Sequence, residues 1–188
     1  YLPAQLINDA KSHGVKILPI DINRSNFDNT LEFESSFERI NSHNNVISTP
    51  MLRIGFKMVK GLSKEGILSI VEARLAGKFS NIQELIFRSG INKRDLESLA
   101  AADALSALSG DRHRAFWQAS AVDKVTDDGY SGSFFKDQNF LKNDFNIDVL
   151  LPTVSEEENI FSDYVSTGFT LRKHPITLSR EHLNAYQF

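Results

Sequence analysis

From Lys64 onward, apolar side chains fall at Ile67, Leu68, Ile70 and Val71, the spacing that lines one face of a helix. Ser63 stands just ahead as an N-cap, its hydroxyl able to accept a first-turn amide. Similar punctuation divides the rest of the chain. Pro3 opens a helix through Leu6, Ile7 and Ala10 that ends near Gly14. Val15 to Leu18 reads as a short strand closed by Pro19, a polar, turn-rich link runs from Asp21 to Asn29, and Thr30 to Glu34 alternates as a second strand. Residues 41–50, with Asn41, Asn44, Asn45 and Pro50, read as an exposed loop. Met51 to Met58 sets Leu52, Ile54 and Phe56 against Arg53, Gly55 and Lys57 and reads as a partner strand. After Gly77, Ser80 with Gln83 three residues later predicts a capping box that opens a helix through Leu85, Ile86 and Phe87. Asn92 caps the next helix, with Asp95 at its third position and Leu96, Leu99 and Ala100 inside. A helix over Arg112–Ser120 should pack Phe116 and Trp117 inward. Residues 123–155 read as a loop or linker whose Phe134, Phe135, Phe140 and Phe145 should lie over the core. Ser155, followed by Glu156, Glu157 and Glu158, then opens a helix through Ile160, Phe161 and Tyr164 that Gly168 ends. Pro175 opens a short terminal helix containing Leu178 and Leu183. The fold class is mainly α with a small β element.

Composition narrows this picture chiefly by exclusion. With 188 residues the chain can bury a sizeable core in one domain or two small ones. It has no cysteine, which removes disulfides and thiolate metal sites. No apolar run has the length of a membrane span. A first residue of Tyr1, running straight into a helical pattern, suggests a piece of a longer chain.

The net charge of -3 hides a strong asymmetry. Residues 51–125 hold 12 basic and 8 acidic groups, whereas residues 126–163 hold 2 basic and 9 acidic ones. Such a division implies one part that faces a polyanion and another that avoids it.

The basic part contains two interrupted helical patterns. The first is Lys60-Gly61-Leu62-Ser63-Lys64, and the second is Gly90-Ile91-Asn92-Lys93-Arg94. At each, a glycine allows a tight backbone path, a polar residue caps the next helix, and basic residues flank the break. Bare amides at a helix start next to cations make an anion site, and phosphate is the obvious anion. The first break resembles the helix-hairpin-helix motif, a binder of the DNA backbone. Gly61-Leu62-Ser63 fills the hairpin, Ile70 the apolar site and Arg74 the basic end, while Ser63 replaces a glycine and Ile67 a small residue. The bland alternative is a pair of ordinary helical hairpins with solvated charges.

Five blocks occur in a fixed order: VKILPIDIN at 15–23, LRIGFKMVKGLSKEG at 52–66, RDLESLAAADAL at 94–105, DRHRAFWQA at 111–119 and DYVSTGFTLRKHPI at 163–176. Together they resemble the C-family bacterial DNA polymerases of the DnaE type. GFKMVKGLS, LAAADAL and the AFW block are more similar to the error-prone (ImuC) class than to the replicative α subunit of polymerase III. The resemblance implies that residues 1–50 end the fingers region and 51–122 form a tandem helix-hairpin-helix domain. Residues 123–154 would be an acidic, aromatic linker, and 155–188 helices leading towards a missing OB-type domain. It further implies a full-length DNA-directed DNA polymerase that uses Mg2+, with its catalytic carboxylates upstream of Tyr1, so that no catalytic residue and no cofactor fall within this chain. The implied partners are duplex primer-template DNA, a sliding clamp and translesion accessory proteins, in the bacterial cytoplasm at the nucleoid. The expected DNA contacts are Lys60, Gly61, Leu62, Ser63, Lys64, Gly90, Ile91, Asn92, Lys93 and Arg94.

Other chemistry is weaker. The five histidines show no ligand spacing, Gly129-Tyr130-Ser131-Gly132-Ser133 lacks the last glycine of a nucleophile elbow, and Asp127-Asp128 reads as a solvated turn. Asp21 fits an Asx-turn better than a catalytic role. A rival reading of a different class makes the acidic, phenylalanine-rich segment a docking site for a clamp or accessory factor.

Overall fold

The computed structural model describes residues 2–40, 46–126 and 154–177. The chain is mainly helical with one small sheet. Helix α1 (Pro3–Ser12) leads to β1 (Ile17–Leu18), followed by β2 (Thr30–Ile40) and β3 (Val46–Arg53). The helical part comprises α2 (Lys64–Ala73), α3 (Ile82–Ser89), α4 (Lys93–Ala101), α5 (Ser106–Ser109), α6 (Arg112–Thr126) and α7 (Glu156–Ser166).

The sheet has the order β1-β3-β2, with β1 parallel and β2 antiparallel to β3. Of the loop expected at 41–50, residues 46–50 instead belong to β3, because their backbone pairs with β2 from Ile40↔Val46 to Phe33↔Pro50; residues 41–45 lie outside the described residues. Pro50, a poor central-strand residue, is tolerated here because β1 reaches only Leu52 and Arg53.

The strand expected to continue to Met58 stops at Arg53. Beyond it the loop before β2 captures the backbone: the amide of Gly55 donates to Asn29 Oδ1 (2.8 Å), that of Phe56 to the Asn26 carbonyl (2.8 Å) and that of Lys57 to the Phe27 carbonyl (3.1 Å). The chain therefore coils into a 3-10 turn at Phe56–Met58. Alternation fails too. Arg53 is buried and Leu52 only half-buried, since Arg53 is drawn inward by Glu32 and by the Pro19 carbonyl. Asp21 makes the expected Asx-turn, accepting the Asn23 amide at 2.7 Å.

One apolar core runs from Ile7 of α1 through Ile22, Ile54 and Phe56 to Ile70, Leu85, Leu96 and Leu99, and on to Phe169. Each such aliphatic or aromatic side chain contributes about 1.5–3 kcal/mol by leaving water. Ile67 and Ile70 are the inward pair of α2, whereas Leu68 points out. The start of α3 also differs from expectation. Asn81 is the N-cap, accepting the Glu84 amide at 2.8 Å, while Ser80 gives both its amide and its hydroxyl to the Glu84 carboxylate. Glu84 reaches back to the residue before the cap rather than to the cap's own amide, so the expected capping box is replaced by a cap one residue later than Ser80 with Gln83 would place it. These bonds and Arg88 hold the Glu84 carboxyl below the usual carboxylate range.

Helix α6 is longer than expected and rotated. Phe116 and Trp117 are 40% and 51% exposed, and the small Ala115 and Ala119 face the core instead. Small residues let α6 approach α4 closely, so the large rings turn outward. The expectations for Phe134, Phe135, Phe140 and Phe145, and for Leu178 and Leu183, concern residues outside those described; residues 175–177 are helical. Helix α7 carries the full capping box of Ser155 and Glu158, and Gly168 follows it at φ +89°.

Candidate nucleic-acid interface

Both breaks have the local geometry their residues dictate. Gly61 has φ +85° and Gly90 φ +62°, values that favour glycine. Ser63 Oγ accepts the Gly66 amide (2.9 Å) at the start of α2, and Asn92 Oδ1 accepts the Asp95 amide (2.8 Å) at the start of α4. Ile91 between Gly90 and Asn92 is buried and anchors the second break to the core.

The structure joins the breaks through a residue that sequence reasoning treated only as part of a cap. Asp95, 2% exposed, directs its carboxylate across to the first break. Oδ1 accepts the Ser63 amide (2.8 Å), and Oδ2 accepts both the Ser63 hydroxyl (2.7 Å) and the Asn92 side-chain amide (3.0 Å). The expectation of a bare Ser63 amide is thereby corrected: a carboxylate of the protein already holds it. The first-turn amides of Lys64 and Glu65 still have no acceptor within their own helix.

Gly66 makes room for this contact. A Cβ at Gly66 would lie 2.4 Å from Asp95 Oδ2 and 3.0 Å from Ser63 Oγ. The small residue of the first break is therefore Gly66, and Ile67 beside it is free to enter the core. A glycine in the first turn of an otherwise good helix was the available signal; its partner, 29 positions on, was not legible.

The cations divide into two groups. Lys64 and Arg94, at the first and second positions of their helices, are exposed. Lys93 is half-buried and lies 3.8 Å from Glu97. Lys60 is turned to α7: its amide donates to the Ser166 carbonyl (2.8 Å), and its ammonium to those of Tyr164 (3.2 Å) and Val165 (3.0 Å). Arg74 closes the loop before β2, donating to the carbonyls of Ile22 (3.2 Å) and Ser25 (2.8 Å) and to Asn26 Oδ1 (2.7 Å). The guanidinium of Arg88 stacks 4.7 Å from the Phe79 ring centre. These last two side chains build the scaffold.

Helices α6 and α7 border an apolar cleft of about 730 Å³ lined by Phe116, Phe161, Val165 and Arg112. Among the described residues, no group of three or more His, Asp or Glu side chains is arranged to hold a metal ion.

The helix-hairpin-helix motif family matches residues 14–115, more than half of the chain and both breaks. The chain is also 39% identical, over its whole length, to an error-prone DNA polymerase of Methylococcus capsulatus. It is 40% identical over 96% of its length to one of Teredinibacter turnerae and 38% over 98% to one of Rhodopirellula baltica. It spans only 18%, 16% and 15% of those relatives, respectively. The resemblance seen in the five sequence blocks thus extends along the chain. With two glycine-broken helix starts joined by Asp95 and a family match across both, the chain belongs to the helix-hairpin-helix family and corresponds to a DNA-binding region of the kind found within error-prone DNA polymerases.

Proposed function

We propose that this chain grips duplex DNA by its phosphate backbone, without reading sequence, within a DNA-directed DNA polymerase of the error-prone, translesion class. The observation that carries the reading is the joined pair of helix starts, with Lys64 and Arg94 exposed beside them. The contacts assigned to DNA are Gly61, Leu62, Ser63 and Lys64 at one break and Gly90, Ile91, Asn92, Lys93 and Arg94 at the other. Lys60 contributes by fixing the first break against α7. Contacts to phosphate position a protein without specifying bases, which suits a polymerase that must accept any template. Nucleotidyl transfer and its Mg2+ are assigned to parts of the polymerase outside this chain. The clamp, the accessory proteins and the nucleoid setting belong to the full-length protein on the same reading.

The test is fluorescence anisotropy of the 188-residue chain with labelled random-sequence duplexes over a range of salt. Binding that is equal across sequences, with log K falling linearly against log salt, supports the reading; no duplex binding at low salt sinks it.

The cleft between α6 and α7 favours a second role. Exposed Phe161, Val165 and Phe116 beside Glu157 and Glu158 would suit docking of an accessory protein. Loss of that partner, with DNA binding intact, on Phe161→Ser would support it.

A further inference from the structure

We propose that Asp95 is the positioning residue of this interface: its carboxylate fixes the two helix starts relative to each other, so that both engage the backbone of one nucleic-acid segment. The proposal rests on the DNA-binding reading above.

The geometry is specific. Asp95 is the third residue of α4, and its own amide is taken by Asn92, as a cap requires. A capping carboxylate normally folds back on its own helix start. Here it instead spans to the other helix, taking the amide and hydroxyl of Ser63, while the Asn92 side chain steadies it from behind. Ser63 in turn caps α2. A single side chain therefore connects the cap residues of both helices. The two breaks move together or not at all. Hydrogen bonds to a carboxylate are about twice as strong as neutral ones, and burial leaves little water to compete.

Two effects of Asp95 on a bound polyanion oppose each other, and this makes the proposal testable. As a negative charge near the α2 N-terminus it cancels part of the helix dipole and disfavours phosphate. As a connector it holds Lys64, Arg94 and the two helix starts in register. Charge alone predicts that removing Asp95 strengthens DNA binding; positioning predicts that it weakens it.

The experiment compares Asp95→Ala and Asp95→Asn with the parent chain, by duplex anisotropy across a salt series well below each variant's melting temperature. Asparagine can accept the Ser63 amide and donate to the Ser63 oxygen, so it keeps the bonds to Ser63 and drops the charge, losing only the bond from the Asn92 side-chain amide. The expected result is binding at least about tenfold weaker for alanine, equivalent to removing one charge-assisted hydrogen bond. Its slope of log K against log salt should be shallower by about 0.9 for each phosphate that the variant no longer engages. Asparagine, which keeps the bonds to Ser63, should bind more tightly than alanine. A mere shortage of folded protein would lower the active fraction and leave the slope unchanged.

Equal or tighter binding by a folded alanine variant overturns the proposal. If Asp95→Ala does not fold, Gly66→Ala decides: its methyl displaces the Asp95 carboxylate from Ser63 without altering charge or removing either cap side chain, and an unchanged slope refutes the positioning role. Failure of the parent itself to bind duplex would instead remove the DNA-binding reading, and the proposal with it.

Discussion

Arg53 and Glu32 face each other across β2 and β3 in a two-pronged ion pair, Nε to Oε1 at 2.7 Å and Nη2 to Oε2 at 3.1 Å. The Arg53 side chain is almost wholly buried, and its remaining nitrogen donates to the Pro19 carbonyl at 2.8 Å. The guanidinium thus ties β2 and β3 to the residue that follows β1, at the point where the chain leaves the sheet for the first break. Removing Arg53 leaves Glu32 partly exposed and still beside Arg24, so Arg53→Ala should destabilise the fold by about 1–3 kcal/mol in chemical denaturation. Arg53→Met, of similar volume and without the charge, should cost less.

The same pair gives a pH dependence. The hydrogen bond from Arg53 is the main cause that holds the Glu32 carboxyl below its ordinary range. A carboxyl with a depressed folded-state pKa adds stability above its unfolded value, near 4.3, and loses that stability as pH falls through the folded value. Melting temperature should therefore drop as the parent is acidified below about pH 4.5, and this part of the drop should be missing in Glu32→Gln.

Asp103 has the opposite sign. It is the described non-glycine residue with positive φ, +58°, and burial raises its carboxyl pKa despite opposing help from Arg112 and Arg172. A raised folded-state pKa means stability that is complete below the unfolded value and is lost as pH rises through the folded one. Asp103→Asn tolerates the left-handed backbone and imitates the protonated acid. The variant should melt higher than the parent at pH 7, with the gain vanishing towards pH 4, as thermal scans at both values would show.

Gly55 is required by a close approach of backbone. A Cβ there would lie 2.4 Å from the Asp28 carbonyl carbon and 2.7 Å from the Phe27 oxygen. Backbone cannot swing aside as a flexible side chain can, so Gly55→Ala should lower stability by several kcal/mol, at the upper end for point changes. Gly14→Ala, with nothing within 4 Å, should cost only the strain of its φ of +79°. A comparison of denaturation midpoints separates clash from strain.

Gly66 offers a coupling test. Alone, Gly66→Ala should be destabilising, because its methyl would displace Asp95 Oδ2 from 2.4 Å away. Alongside Asp95→Ala that clash is gone, and the better helix propensity of alanine returns up to about 1 kcal/mol. A double-mutant cycle should therefore show strong non-additivity, and additive effects would contradict the contact.

How far the chain could be read by eye depended on whether a signal was local. Ser63, Asn92, Ser155 and Gly168 act within a few residues of themselves, and each does what its pattern indicated. The positions that misled are those where a distant partner overrides the local pattern. Arg53 breaks the strand alternation because Glu32 and Pro19 draw it in. Phe116 and Trp117 looked like core by size, yet α6 meets α4 through Ala115 and Ala119. At the interface the glycines, caps and cations were visible, but the connection was not. Nothing near Asp95 in sequence says that its carboxylate ends on Ser63, and nothing near Lys60 says that its ammonium ends on α7.

That last attachment has a mechanical outcome. Lys60 holds three successive carbonyls at the end of α7, at Tyr164, Val165 and Ser166. The loop before the first helix start is thus joined to the end of α7, whose following segment is also held by Phe169 in the core and by Arg172 on Asp103. The turn at Gly61 is therefore pinned to the end of α7 by the backbone and side chain of the residue just before it.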